Sequence, residues 1–416
     1  MSKILYYTDC PFFGGCENML PLFLNSERIK NKYEIVFCYR YSVEYKNDLE
    51  KRIVSDIPVI PLTFISGTWP KKNFIPPFNH ISKPLQYLST GITRLPLTFY
   101  EIFWFIRFFK KLSPDIVHLN NGGYPAARTV RSAAIAARLA GVKSVIMVVN
   151  NMAAGYTSLG RVIDAIFDRW VVHSVTIFIT ASKSAATRLQ SVLRLPNKKI
   201  KFIPNGIEPI EIYDNRNKNI RIKQNPCRSC EIIISVVGLL VERKGHRFLL
   251  DAIKIIKDNN PHLWNHLKLW VIGDGELRQS LECYAKSLEI SENIVFWGHR
   301  PDVLEKLFAS DFLVLPSIKD EDFPFVILEA MLLGKPVIST YVAGIPEQVE
   351  DGKTGLLVQP GDALSLSKAI SELCRDPKLI KKMGEAGKQR FESNFTSDIS
   401  LKSYLDLYDL LLCSLK

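Results

Sequence analysis

Two glutamates eight positions apart, Glu321 and Glu329, frame the stretch EDFPFVILE, whose residues Phe323, Pro324, Phe325, Val326, Ile327 and Leu328 are all apolar. A carboxylate is costly to bury without partners. The pair therefore faces an acid/base reaction, a metal ion or a polar ligand, unless the two are a loop residue and an unrelated surface residue. Pro324 fits the first position of a helix, where its missing N–H costs nothing, and Gly334 fits the C-terminal cap. This reading places Glu329 in the second turn, near the end where negative charge is favoured, on a helix otherwise apolar all round and hence buried. Glu321 falls in the loop over the same end. A ligand lying there would meet a carboxylate from each side and free N–H groups between them, which suits sugar hydroxyls flanking a diphosphate.

Other loops offer anion chemistry. Gly14 and Gly15 follow the apolar run KILYYT and precede a helix, so a backbone could approach an anion where the helix has unpaired N–H groups; a plain tight turn explains them as well. Arg243 and Lys244 follow the run ending at Gly238, and two cations after a strand suit a diphosphate, with solvated charges as the bland reading. Gly273-Asp274-Gly275 is a turn signature. Gly298, His299 and Arg300 follow a further run, in a loop that a nucleotide base could lie against.

Apolar β-rich runs alternate with helix-patterned segments along the whole chain. In the first half they fall at 3–8, 33–40, 115–120, 144–150 and 175–182, and in the second at 231–238, 267–273, 293–298, 311–317, 335–340 and 355–358. Continuous apolar runs, rather than strict alternation, predict strands covered on both faces, hence parallel sheets inside helical layers. The expected fold is α/β, two doubly wound Rossmann-like domains facing across a cleft, with ligands beyond the carboxyl ends of the strands. The Asn-rich break near 205–230 divides a 1–205 domain from a 206–385 domain, and residues 386–416 read as a helical segment packing back on the first.

At 416 residues the chain has room for two ordinary domains. Its net charge of +12 is unevenly placed. Residues 1–204 carry 27 Lys and Arg against 12 Asp and Glu, whereas the remainder carries 27 against 30. The first half is expected to meet something anionic. No zinc-finger spacing, aromatic RNA-binding signature or basic helix running into heptads supports nucleic acid, which leaves a membrane surface or a phosphorylated substrate. The start shows no signal-peptide pattern, and the apolar stretch 95–109 is too short to span a bilayer. The segment FYEIFWFIRFFKKL (99–112) reads either as an internal helix packing on the sheet, the favoured reading, or as a membrane-surface element. Eight scattered cysteines fit free thiols in a reducing cytoplasm. Cys227 and Cys230 form a single C-x-x-C without the second pair that zinc would need.

The ordered set of motifs resembles the retaining glycosyltransferases of family 4, which have the GT-B fold. Glu321 through Glu329 matches their E-x7-E. VVGLLVERKGHRFLLDAI, WVIGDGELRQSL, FWGHRPDV and TYVAGIPEQVEDGKTGLLVQPGD match successive signatures of the donor domain. FFGGCEN, SPDIVHLN, ITASKSAATRL and FIPNGIE resemble first-domain patterns, so the likeness covers nearly the whole chain. The resemblance implies that Glu329 holds the ribose hydroxyls of a nucleotide sugar and that Glu321 approaches the transferred sugar. It further implies that the backbone of Phe323, Pro324, Phe325 and Val326 lies near sugar and phosphates. Lys244 would neutralise the diphosphate, joined by the Gly14–Gly15 backbone from the opposite domain, and the loop around Arg300 would contact the base. Two positions depart from the pattern. Leu239 stands where the family commonly has a diphosphate-binding Arg, with Arg243 as a substitute, and Asn150 stands where it often has His. Asn can hydrogen-bond a sugar hydroxyl but cannot carry a charge or act as a base.

Competing chemistries are weaker. Asp320-x-Asp322 imitates a metal-binding D-x-D within surroundings that resemble a metal-independent family, so no metal or other cofactor is expected. His262 and His266 have i, i+4 spacing without a third ligand. A glycosidase needs two carboxylates flanking a glycosidic bond and would leave the phosphate loops idle. The expected function is transfer of a sugar from a nucleotide sugar to a glycan or lipid-diphosphate acceptor in surface-polysaccharide or lipopolysaccharide assembly, at the cytoplasmic face of a membrane. The alternative is a nucleotide-sugar-binding or scaffold protein of the same fold with weakened catalysis.

Overall fold

The computed structural model describes residues 1–54, 56–63, 83–125, 127–157, 159–209 and 231–413. Cys227, Cys230 and most of the Asn-rich break lie outside them. The chain divides into two compact units, Met1–Ala181 with Ala185–Ile203 and Leu401–Lys416, and Ser182–Ser184 with Pro204–Ser400.

The first unit is built on seven parallel strands, β1 (Ser2–Thr8), β2 (Tyr33–Arg40), β3 (Val59–Leu62), β4 (Ile116–Asn121), β5 (Ser144–Val149), β6 (Ile177–Thr180) and β7 (Ile200–Phe202). Their order is β3-β2-β1-β4-β5-β6-β7, a doubly wound arrangement whose direction of winding reverses between β1 and β4. Ile4, Leu5, Tyr6 and Tyr7 are fully buried, as a strand covered on both faces requires. Helices fill the connections, with Val130, Ala133, Ala134 and Ala137 of Arg128–Leu139 packed into the core. The small alanines let that helix lie close to its neighbours.

The sequence pattern missed β3 and β7. Both are short outer strands with exposed residues, and β3 contains Pro61. Proline and partial exposure are tolerated at a sheet edge, but they erase the continuous apolar signature. The aromatic segment 99–112 is the end of a longer helix, Lys83–Leu112. It packs on the core through Ile102, Phe105 and Phe109 while leaving Phe99, Tyr100 and Phe103 exposed, so it is only half internal.

Two helices, Pro377–Asn394 and Ser397–Cys413, close the described chain. Within the first unit, the Tyr408 hydroxyl bonds the Tyr6 hydroxyl at 3.1 Å and Nδ1 of His118 at 2.8 Å. The ring of Tyr404 meets Phe23 edge-on at 4.7 Å. Burial pushes His118 down to about 3, so this lock is between neutral groups at physiological pH.

The second unit has six parallel strands, β8 (Ile232–Val237), β9 (Leu267–Ile272), β10 (Ile294–Gly298), β11 (Phe312–Leu315), β12 (Val337–Thr340) and β13 (Gly355–Val358). All six were foreseen. Their order, β10-β9-β8-β11-β12-β13, reverses between β8 and β11, so loops leaving those two strands part there and open a crevice.

Candidate functional site

The second unit assembles its charged site at this reversal. After β8 the chain forms a short 3-10 turn, Glu242–Lys244, and reverses through Gly245 at φ +69°. A Cβ at Gly245 would lie 2.0 Å from the carbonyl oxygen of Pro316, just beyond β11. This close approach brings the two loops together. The N–H of Ile318 donates to the carbonyl of Arg243 at 2.8 Å. Gly245→Ala is accordingly expected to cost about 2–4 kcal/mol through strain and forced separation, read as a fall in Tm, with weakened ligand binding in whatever protein remains folded.

Glu321 is the centre of the site. Its Oε2 accepts from Lys244 Nζ at 2.6 Å, Ser317 Oγ at 2.9 Å and Arg243 Nη1 at 3.2 Å. Glu321 and Lys244 are buried and Arg243 is about a third exposed. Desolvation lowers the Lys244 pKa, opposed by the adjacent carboxylate. Two cations against one carboxylate leave a local excess of positive charge, which a diphosphate would complement. The pairing also shows that Lys244 is held by its own chain rather than free.

Four residues after Glu321 begins the helix Phe325–Leu332. Pro324 is its N-cap rather than its first helical residue, because ψ of 126° keeps it extended while its carbonyl accepts from Ile327 N–H at 3.2 Å. The N–H groups of Phe325 and Val326 open the first turn and have no partner inside the helix. The helix is not buried all round: Phe325, Val326 and Glu329 share a half-exposed stripe, while Ile327, Leu328, Ala330, Met331 and Leu332 are in the core. Nor does Glu329 find the partner expected of it. Among the described residues nothing pairs with its carboxyl, and burial alone pushes its pKa up to about 7. Phe323 is tied down, its carbonyl accepting from Asn205 Nδ2 at 3.3 Å and its ring meeting Phe395 at 5.6 Å.

Gly273 and Gly298 lie together at neighbouring strand ends, with Gly273 N–H donating to the Gly298 carbonyl at 2.9 Å. Gly273, at φ +140°, passes so near the Gly238 carbonyl that a Cβ would sit 1.9 Å from its oxygen. His299 is exposed. Arg300 forks onto Asp302, through Nε at 2.7 Å and Nη2 at 2.8 Å, so its guanidinium is engaged within the chain. Leu239 is exposed and brings no charge to the β8 loop. Asp322 is buried and accepts from the Ser182 hydroxyl, and Asp320 gathers with no metal-binding set of three among the described residues. His246, unremarked in the sequence, is buried beside Lys244. Burial first, and that charge second, lower its pKa to about 4, so it is neutral at pH 7.

In the first unit the Gly14–Gly15 loop follows β1. Gly15 is exposed, and a Cβ there would meet nothing within 4 Å, whereas Gly14 lies under the ring of Phe12. The sequence reading overlooked Glu17. Its Oε1 accepts from Thr8 Oγ1 and Asn120 Nδ2, both at 2.9 Å, and its Oε2 from Tyr45 hydroxyl at 2.6 Å. Asn150 Nδ2 in turn donates to Asn120 Oδ1 at 2.8 Å and to the Asn121 carbonyl at 3.1 Å. One polar network thus joins the ends of β1, β4 and β5, and Asn150 is a member of it rather than a free side chain. A glutamate inside a glycine loop was the available signal.

The glycosyl transferases group 1 profile matches residues 217–390 and the glycosyltransferase family 4 profile matches residues 61–210. The N-acetyl-alpha-D-glucosaminyl L-malate synthase of Bacillus anthracis is 29% identical over 240 residues, a match spanning 58% of this chain and 61% of that protein. The UDP-Gal:alpha-D-GlcNAc-diphosphoundecaprenol alpha-1,3-galactosyltransferase of Escherichia coli is 28% identical over 310 residues, 72% of this chain and 76% of that one. The match thus spans less than two thirds of the Bacillus protein. Among solved structures, Alr3699/HepE of Anabaena, in complex with UDP, superposes with a TM-score of 0.73 at 19% identity, covering 98% of this chain and 100% of the other.

Proposed function

Because the chain belongs to the group 1 glycosyltransferases, with their GT-B fold, we propose that it moves a sugar from a nucleotide sugar to a glycan or lipid-linked acceptor, with retention and without a metal ion. The observation that carries this reading is Glu321 holding Lys244 and Arg243 together, just ahead of a helix N-terminus and of Glu329, whose carboxyl has no partner among the described residues. Glu329 holds the ribose hydroxyls. The N–H groups of Phe325 and Val326 and the two cations take the diphosphate, and Glu321 orients the transferred sugar. The Gly273, Gly298 and Arg300 loops lie against the base through their backbone; in the first unit the exposed Gly15 leaves its loop open to a phosphate.

Transfer then needs no protein base. The bond from the sugar carbon to the diphosphate oxygen breaks, the acceptor oxygen bonds to that carbon on the same face, and its proton passes to the departing diphosphate. The protein's part is to stabilise the negative charge that grows there, which Lys244 and Arg243 do in place of the cation missing at Leu239. Asn150 orients a hydroxyl through its remaining hydrogen-bonding capacity. A nucleotide-sugar-binding protein without turnover is the second reading, favoured by the engaged amide of Asn150 and the uncharged Leu239. A transfer assay in EDTA, with the product anomer read by NMR, separates them. Retained configuration supports the proposal, inversion overturns it, and binding without transfer to any acceptor selects the second reading.

The acceptor reading places a lipid-linked substrate and an anionic leaflet against the basic first unit. No helix among the described residues is long and apolar enough to cross a membrane. A surface suited to lying on one is present. Phe99, Tyr100 and Phe103 of the Lys83–Leu112 helix are exposed, as are Val162, Ile166 and Trp170 of the Leu159–Ser174 helix. Phe167 bridges the two sets, with ring centroids 6.4 Å from Phe99 and 5.5 Å from Trp170. Arg107 stacks over Phe103 at 4.4 Å, and Lys110, Lys111 and Arg169 add charge on the same helices. Apolar rings with cations beside them match the boundary between headgroups and acyl chains. Flotation with anionic vesicles at low salt is expected to carry the wild type and not the Ile166→Asp/Trp170→Asp variant. Equal behaviour of the two would remove this surface from the account.

A further inference from the structure

Cys10 and Cys16 bracket the Gly14–Gly15 loop, and their sulfur atoms lie 3.5 Å apart. Both are partly buried, while Cys283 and Cys413 are exposed and Cys38 and Cys374 are buried. Among the described residues no other two thiols are in hydrogen-bonding contact. With Glu17 they form a cluster whose candidate ligand atoms lie within 4.8 Å of one another, so a metal ion is the first thing to weigh. The carboxylate argues against it. Both Glu17 oxygens already accept hydrogen bonds, from Thr8, Asn120 and Tyr45, and a cation would have to break this buried set. Two thiols alone fall short of the four ligands of a structural zinc site.

A bond between the sulfurs asks for less. They must close from contact to about 2.05 Å, in a loop whose two glycines can absorb the change. The Cys16 carbonyl is anchored by Asn120 Nδ2 at 3.0 Å, so the adjustment falls on the Cys10 side and on Phe12 and Phe13.

We propose that Cys10 and Cys16 are a reversible dithiol–disulfide site whose oxidant is a hydroperoxide. Cys16 Sγ donates to Glu17 Oε1 at 3.7 Å, so this buried carboxylate is placed to take its proton and Cys16 is the sulfur that attacks. The hydrogen bond with Cys16, and then burial, hold the Cys10 thiol above its usual range. The Cys16 thiolate bonds to a peroxide oxygen, the O–O bond breaks and the departing oxygen leaves as water, giving a sulfenic acid on Cys16. The Cys10 sulfur then bonds to the Cys16 sulfur, the S–O bond breaks, and hydroxide leaves as water with the Cys10 proton. Two thiols and one hydrogen peroxide become one disulfide and two waters, and a dithiol reductant reverses the change. Closing the link contracts the loop that carries the Gly15 N–H. A resulting loss of nucleotide affinity rests on the phosphate role proposed for that loop; the disulfide itself does not.

The test treats the reduced full chain with hydrogen peroxide, caps remaining thiols with N-ethylmaleimide and maps peptides without reduction. The expected result is an intramolecular Cys10–Cys16 link that forms before Cys283 or Cys413 is oxidised, is reversed by dithiothreitol and is absent in Cys10→Ser. In that variant dimedone should label a sulfenic acid on Cys16. Capped Cys10 and Cys16 in protein whose exposed cysteines are already oxidised would overturn the proposal, as would a link between chains. Titration with UDP as probe addresses the consequence: affinity about tenfold lower after oxidation, the worth of one hydrogen bond to a charged group, fits the loop's phosphate role. A link that forms while UDP affinity is unchanged upholds the site and removes that role.

Discussion

Lys244→Ala should lower turnover about a hundred- to a thousandfold, the usual effect of removing one group that stabilises charge growing in a transition state. The reason is positional. Lys244 is buried, and its ammonium is held 2.6 Å from Glu321 at the reversal of the second sheet, where a departing diphosphate would develop its charge. The substitution need not unfold the site, because Glu321 keeps Ser317 at 2.9 Å and Arg243 at 3.2 Å. A thermal melt of the variant serves as control. Steady-state rates with saturating donor check the effect. A folded variant within about threefold of wild type would mean that Lys244 only supports Glu321, since such a change is well under 1 kcal/mol of barrier.

Glu329→Ala should act on binding instead, raising the donor KM about ten- to a hundredfold with kcat little changed, because hydrogen bonds to a charged group are worth about 1.5–3 kcal/mol. Among the described residues the half-buried carboxyl has no partner to compensate for its desolvation, which pushes its pKa up to about 7. Two pH effects follow. As pH falls through about 7 the carboxylate takes up a proton and loses acceptor capacity, so donor affinity should decline on the acid side and Glu329→Gln should flatten that profile. For stability the sign is opposite. The folded state holds this proton to a higher pH than the unfolded chain, whose value is near 4.5, so stability falls as pH rises from there toward 7 and is level above it. Melting temperatures of wild type and Glu329→Gln should converge at low pH and separate toward 7, with the variant the more stable. Parallel curves would show that Glu329 is not held protonated.

Much of the second unit was readable because its information is local. Six apolar runs end in glycines or turn residues, and Glu321, Pro324 and Glu329 lie within one loop and one helix. What stayed hidden depends on residues far apart in the chain. Lys244 and Glu321 are 77 positions apart, and nothing in either neighbourhood announces that they pair. Glu17 gains its surroundings from Tyr45 and Asn120, 28 and 103 positions on. Asn150 looked like a free substitute for an ionisable residue, yet its amide closes a network that only parallel pairing of β4 and β5 assembles. The half-exposed stripe of the Phe325–Leu332 helix was likewise invisible, since Phe325 and Val326 read as core by residue type.

Binding of a nucleotide sugar without metal is the role proposed for the Glu321–Lys244–Arg243 site and Glu329. Isothermal titration of the full chain with UDP-, GDP- and ADP-sugars in EDTA tests it most directly. One-to-one binding of a nucleotide sugar in the range of about 1 μM to 1 mM is expected, weakened in Glu329→Ala. This role is contradicted if none of these donors binds, or if binding disappears in EDTA and returns with manganese.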